Sequence, residues 1–293
     1  MHNKTSLGIL FTLASAFFYA IQAAIIKAVG TGIPLPVLVF MQSFIALLIL
    51  MPIIAIQQVK TSQNLFKTKV PILQFWRTLF SLGISYFLFA ALHFTPLVDA
   101  VLLANTAPFF MPFILLIYAK QKIQHRLWLP LFIGFIGVIF ILKPDTQVFN
   151  PHTFIALGAG LSMALSMMLV RKISAHDSSM TVVFYYFLFS SILAGIVSVP
   201  FWQPLSVTLI LILLVIGVLF FLVQYLLALG LRYTHTQNVA VLYYANVIFA
   251  ALISILIFGD KSSFISITGI VLTILSAIVI IKRQAPNLQK PRL

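Results

Sequence analysis

The stretch ALHFTPLVDAVLLANTAPFF, Ala91 to Phe110, aligns without gaps to GLRYTHTQNVAVLYYANVIF, Gly230 to Phe249. Thr95 falls on Thr234, Asp99 on Asn238 and, further on, Gln121–Lys122 on Asp260–Lys261. Upstream, YAIQAAIIK from Tyr19 pairs with MALSMMLVR from Met163, setting Gln22 against Ser166 and Lys27 against Arg171. Polar as well as apolar positions agree, so the chain reads as two copies of one unit. Hydrophobic runs divided by polar or proline-bearing punctuation predict spans at about 7–28, 35–57, 71–93, 96–118, 127–143, 152–172, 180–201, 206–231, 236–258 and 263–282. Each copy then holds five spans. Five is odd, so the second copy lies upside down relative to the first. Inverted repeats of this kind mark secondary transporters, with the binding site near the midplane between the halves.

Composition agrees with a polytopic all-α membrane protein of ten transmembrane helices. Of 293 residues, 62% are hydrophobic and 8% charged, against roughly 25% charged in a soluble domain. A span takes about 20 apolar residues, so ten spans leave only short connections. A β-barrel needs alternating apolar and polar residues, whereas Leu209 to Val223 is nearly continuous in apolar side chains. The first run has no cleavage-site pattern and reads as a retained helix. The expected division is 1–145 for the first five-helix repeat, 146–285 for the second and 286–293 for a tail. The longest polar stretch between spans runs only from Gln57 to Lys69, so function must be built from helices and short loops.

Absences exclude whole classes of chemistry. There is no Cys and no Glu, and the acids are Asp99, Asp145, Asp177 and Asp260 alone. Disulfides, thiolate nucleophiles, paired-carboxylate glycosidases and Glu-dependent zinc proteases are therefore excluded. The six histidines (His2, His93, His125, His152, His176 and His235) fall at span ends or loops without metal-ligand spacing. We expect no enzyme, no metal and no cofactor. The net charge of +14 is scattered between hydrophobic runs, unlike the clustered basic face of a nucleic-acid binder. The expected partners are the lipid bilayer and a small-molecule substrate, with the chain a monomer or homodimer. A channel would call for filter loops or oligomeric pore helices, which the short connections do not supply.

Basic residues set the orientation. Under ten spans, fifteen Lys and Arg lie on the side of both tails, and Lys27, Lys143 and Lys261 on the other. The positive-inside bias then places both termini in the cytoplasm, as expected for a multi-pass protein of a bacterial inner membrane.

The segment FWRTLF…SYFLFAALHFTPLVDAVLLANTAPFFMPF, Phe75 to Phe113, resembles the first-repeat signature of EamA-type members of the drug/metabolite transporter superfamily. In that family an Arg opens the third helix, an Ala-Leu-x-aromatic segment with Pro-Leu joins the third and fourth, and a Pro lies within the fourth. Arg77, Ala91 to Ala100 and Pro108 match these features. The Gly-Glu ending of the fourth and ninth helices is replaced here by Lys120–Gln121 and Gly259–Asp260. The resemblance implies ten helices with 1–4 and 6–9 around a central cavity, transport by alternating access, and no particular substrate. Relatives carry amino acids, S-adenosylmethionine, choline-like cations, nucleotide-related compounds and drugs.

Polar groups inside spans are costly and each needs a reason. Pro108 and Pro112 lack an amide hydrogen and free the carbonyls of Ala104 and Pro108, making a polar notch beside Asn105 and Thr106. Asn105 suits either a substrate contact at a hinge or a helix–helix hydrogen bond with a packing kink. Any proline hinge is confined to the first repeat, because Val247 and Ala251 stand at the matching positions. Tyr19, Gln22, Tyr86, Gln224, Tyr225, Tyr243, Tyr244 and Asn246, with Tyr185 and Tyr186, supply phenols and amides. They suit a cavity for a small amphipathic metabolite, or aromatic packing. Arg77 beside Trp76 reads as a snorkelling side chain, with gating by anion contact as the alternative. The pairs Gly134–Gly137 and Gly160–Ala164 read as close helix contacts.

Asp99 is read as a first-turn charge behind a Thr95 cap with Pro96 at the first helical position. Thr234 and Gln237 have capping-box spacing in the second repeat, where Asn238 replaces the acid. Ion or proton coupling at Asp99 is the sharper alternative. With no Glu in the chain, facilitated diffusion or exchange is expected over proton-coupled efflux. A single Cys at position 150 in this Cys-free chain should label with an impermeant reagent in intact cells. Labelling only after lysis would reverse the orientation.

Overall fold

In the computed structural model the described residues are 2–61, 64–119, 125–142, 153–173, 175–233, 239, 242–259 and 264–288. The helices are α1 (His2–Val29), α2 (Leu35–Thr61), α3 (Pro71–Leu92), a broken fourth made of α4a (Leu97–Ala104) and α4b (Ala107–Ala119), and α5 (His125–Leu142). The second half has α6 (Thr153–Ile173), α7 (Ser179–Ser198), α8 (Val207–Tyr233), α9 (Ala245–Phe258) and α10 (Phe264–Leu288). Among the described residues six helical segments are long and apolar enough to cross a membrane, and four shorter apolar ones complete the ten expected positions. Large side chains such as Ile117 and Leu256, each 81% exposed, face outward, as a surface in contact with lipid tails does. The features expected at Lys120–Gln121, Asp145, Thr234–Asn238 and Asp260–Lys261 lie outside the described residues.

Helix packing obeys a two-fold exchange between the halves. α1 packs on α8 and α6 on α3; α1 meets α9 and α6 meets both parts of α4; α2 meets α8 and α7 meets α3. Three further pairs, α2 with α7, α4a with α9 and α5 with α10, map onto themselves. This is the arrangement of two inverted five-helix repeats interleaved about an axis through the α4–α9 contact. Small residues let the seams close. A side chain at Gly160 would collide with Thr106 and the Leu103 carbonyl, one at Gly134 with the Phe109 ring, and one at Gly137 with the α10 backbone. Ala164 is fully buried. Both expected small-residue contacts are thus present. Gly259 ends α9 at φ 63° and turns its N–H to the Ser254 carbonyl, a left-handed cap that glycine adopts without steric cost.

Two details differ from the sequence reading. Thr95 does not cap the fourth helix. Pro96 takes the cap position at φ −51°, ψ 144°, and the Thr95 hydroxyl is buried without a partner. An extended proline there moves the first helical residue on to Leu97. The second detail is the size of the notch, which is a full break and not a bend. Asn105 N–H is shared by the Val101 and Leu102 carbonyls at 3.1 and 3.0 Å, and Thr106 N–H reaches Leu103 at 3.2 Å. Phe109 N–H turns to the Thr106 carbonyl at 2.9 Å, so the Asn105 carbonyl has no donor within its own helix. Tyr244, its repeat counterpart, donates its hydroxyl to that carbonyl at 2.6 Å.

Tyr244→Phe removes only this donor and leaves a buried carbonyl bare, which costs about 1–3 kcal/mol. A matching fall in thermal unfolding midpoint of the detergent-purified protein is expected, with the helix content of the folded state unchanged.

Candidate functional site

The break in the fourth helix places Asn105 where every polar group it owns has a protein partner. Its carbonyl takes the Tyr244 hydroxyl, its Nδ2 donates back to the Val101 carbonyl at 2.7 Å, and its Oδ1 accepts from Asn246 Nδ2 at 3.4 Å. Asn246 is wholly buried and its Oδ1 has no partner. Asn105, Tyr244 and Asn246 therefore form an inter-repeat joint of helix–helix hydrogen bonds. A cavity of about 210 Å³ lies beside it, walled by Thr106, Phe109, Phe110, Phe135, Val138, Ile139 and Leu157. It leaves α4b, which carries Pro112 inside the helix, room on the α5–α6 side.

A second polar group gathers from α1, α3, α7 and the residues just before α9. The Tyr19 and Tyr243 rings stand 5.9 Å apart, tilted at 48°, and both lie within electrostatic reach of Tyr186. Tyr243 lies beside Ser15, whose hydroxyl donates to the Val223 carbonyl at 2.8 Å. Tyr186 lies beside Ser85. The Arg77 guanidinium lies 4.1 Å from the Tyr186 ring centroid, close enough for cation–π attraction. Arg77 is only 7% exposed. The expected snorkelling is corrected: the side chain turns into the bundle and its Nε and Nη1 have no hydrogen-bond partner.

The other expected residues divide. Gln22 donates from Nε2 to Gln42 Oε1 at 2.9 Å, forming a buried amide pair between α1 and α2. Tyr86 is half-buried with its hydroxyl unpaired. Tyr225 stacks on Phe221 at 5.3 Å in the aromatic cluster that also holds Tyr186. Among the described residues neither Gln224 nor Tyr225 hydrogen-bonds the Tyr19–Tyr243 group. Asp99 is buried in the first turn of α4a. Sequence reading passed over Ser15, Gln42, Gln74, Ser81 and Ser85. Three of the five were detectable: Gln74, Ser81 and Ser85 fall at three- and four-residue spacings with Arg77 and Thr78 on one helical face, and all are buried. Ser81 Oγ and Ser166 Oγ, 2.8 Å apart, join that face to α6.

At the end of the bundle carrying Lys67 and Lys69, a latch ties the α2–α3 loop to α7. Asp177 accepts from Lys69 N–H at 3.0 Å, from Gln74 Nε2 at 3.0 Å and from the Thr68 hydroxyl. Thr181 donates to the Leu65 carbonyl at 3.1 Å and Tyr185 to Phe66 at 2.9 Å. Burial pushes the Asp177 carboxyl up, but the Lys69, Thr68 and Gln74 donors and the charge of His176 together hold it below the ordinary carboxylate value. At the other end Lys27 on α1 lies 4.7 Å from the Phe258 ring centroid on α9.

Comparison with known proteins gives the same picture from outside. The EamA-like transporter family model matches residues 6–143 and 151–282. A riboflavin transporter of Vibrio cholerae is 26% identical over 75% of this chain and 74% of its own. An S-adenosylmethionine uptake transporter of Rickettsia bellii is 22% identical over 97% of each chain. The pseudopaline exporter CntI of Pseudomonas aeruginosa is 24% identical over 93% of this chain and 95% of its own. A solved crystal structure, 15% identical, shares the fold across 100% of this chain and 99% of that one, with a TM-score of 0.64.

The latch predicts a pH signature. Because its folded-state value is depressed, Asp177 stabilises the fold fully above the unfolded carboxylate value of about 3.9, and that contribution is lost as pH falls through the lower folded value. Asp177→Asn should lower the unfolding midpoint at pH 7, and the gap from wild type should shrink as pH drops below about 4. A gap of constant size across that range would mean the carboxylate charge is not used.

Proposed function

The chain belongs to the EamA-like transporter family, and from that premise we propose that it moves a small amphipathic metabolite across the bacterial inner membrane by alternating access. At the coarser level it is a multi-pass integral membrane protein that transports small metabolites, in a family of transporters and not of enzymes. The reading rests on one observation above the rest: interleaved halves meet at their central α4–α9 contact through a polar joint, Asn105 with Tyr244 and Asn246, next to an aromatic and hydroxyl-lined interior. Such an interior, at the contact of two inverted repeats, is where this architecture holds substrate.

In this reading residues 1–145 and 146–285 are the two repeats, and both termini face the cytoplasm. Tyr19 and Tyr243 face the substrate, with Gln22, Tyr86, Gln224 and Tyr225 lining its path, and Pro108 and Pro112 give α4 its hinge. The Asp177 latch is then the cytoplasmic gate, and water competes for its exposed bond from Lys69 N–H. Lys27 over Phe258 closes the outer end. The bilayer is the one macroscopic partner required, and the chain works as a monomer or homodimer.

Facilitated diffusion or exchange fits the acid inventory better than proton coupling. A proton-driven carrier uses an embedded carboxylate whose proton competes with substrate. Here there is no Glu, and Asp177 is tied into the latch. Asp99, buried at 5% exposure, is the one feature that favours a proton-coupled alternative. Proteoliposomes loaded with unlabelled S-adenosylmethionine, riboflavin or amino acids should take up the labelled form of the true substrate by counterflow, with saturation. The same rate is expected with and without a pH gradient at clamped potential. Accumulation driven by the pH gradient alone, and abolished by Asp99→Asn, would make Asp99 the coupling site.

A further inference from the structure

Arg77 is a cation more than nine-tenths buried inside a helical bundle, with two N–H-bearing nitrogens that meet no acceptor. Leaving a buried charge uncompensated is among the costliest arrangements a protein can hold. The chain has very little with which to compensate it. Of its four acids, Asp177 is occupied by the loop donors of Lys69, Thr68 and Gln74, and Asp99 sits in α4a. Asp145 and Asp260 fall in the connections outside the described residues. Arg77 forms no ion pair among the described residues. Its one electrostatic neighbour is the neutral ring of Tyr186, which covers a face of the guanidinium and leaves the N–H edges free. About six residues, or about 9 Å of helix rise, separate Arg77 from the start of α3, so the charge lies well inside the span.

We infer that Arg77 is the anion-binding half of the substrate site, and that this transporter selects small organic molecules bearing a carboxylate. The inference rests on the transport reading above and supplies its substrate class. A planar guanidinium with open edges pairs with a carboxylate through two parallel hydrogen bonds. The hydroxyls of Ser81, paired with Ser166, and of Ser85 stand one and two turns further along the same face of α3 and continue its polar lining from the guanidinium inward. The Tyr19–Tyr243 pair, within electrostatic reach of Tyr186, supplies aromatic surface for the apolar part of the molecule. The anion is thus read by Arg77 of the first repeat, and the ring by Tyr19 of the first together with Tyr186 and Tyr243 of the second.

The test uses matched probes in a lipid-free non-ionic detergent, so that no lipid phosphate can supply the counter-charge. Benzoate and indole-3-acetate are titrated against benzamide and indole-3-acetamide, following thermal unfolding of the purified full chain. In the wild type each carboxylate should stabilise at a concentration about tenfold or more below its amide, equivalent to about 1.4 kcal/mol. Arg77→Gln should bring that ratio close to one, and Arg77→Lys should keep a preference at weaker affinity. If Arg77→Gln does not fold, the double variant Ser81→Ala with Ser85→Ala keeps the arginine and should reduce the ratio several-fold. Equal action of acid and amide, an unchanged ratio in Arg77→Gln, or no stabilisation by either carboxylate would each overturn the inference. Loss of saturable counterflow with the ratio intact would instead remove the transport reading and leave the anion site standing.

Discussion

A proline inside a membrane-spanning helix deprives a carbonyl of its donor, and hydrocarbon offers no water to replace it. Pro108 has that effect on the Ala104 carbonyl, and where the helix breaks there the next carbonyl, that of Asn105, is bared too because Phe109 N–H turns to Thr106. The chain breaks the helix after Ala104, tightens the break with local bonds from Asn105 and Thr106, and satisfies the Asn105 carbonyl with Tyr244 of the other half. The remedy for a local defect is thereby a long-range contact. It fixes α4 against α9, and through them the register of both repeats. The close seam at Gly160, where α6 touches Thr106 and Leu103, can exist only because the helix turns aside at that point.

Polar groups elsewhere in the bundle follow from the same rule. Three buried groups on α1 and α3 find partners across a helix seam, Ser15 with Val223, Gln22 with Gln42 and Ser81 with Ser166, while Thr12 and Thr78 bond within their own helices. These bonds convert a set of apolar rods into a specific packing, since apolar side chains alone do not distinguish a neighbouring helix from a lipid tail. Arg77 is the charged member of this group, and its Nε and Nη1 are left without an acceptor.

Much of this was legible in the residues. Span positions could be read because hydrophobic length is dictated by bilayer thickness, and the repeat because Thr95, Asp99 and Gln22 have polar counterparts at constant offsets. The notch at Asn105 followed from proline chemistry. Arg77 was misread because its place along the helix, near the end and beside Trp76, was weighed above its angular place among Gln74, Thr78, Ser81 and Ser85. Thr95 was misread as a cap because Pro96 can serve either as the first helical residue or as the extended residue before it. The Asp177 latch could not be read at all: it joins loops 108 residues apart in sequence, and no local pattern records that approach.

The joint at the axis also limits how such a molecule can be assembled. Asn105 and Tyr244 hold equivalent positions in the two halves, yet one gives a backbone acceptor and the other a phenolic donor. Two copies of the first half would bring two orphaned carbonyls together, and two copies of the second would oppose two hydroxyls with no broken helix between them. Only the unlike pair is complementary. The halves share a fold but are no longer interchangeable, and a dimer built from either half alone would lack the bond about which the present chain is organised.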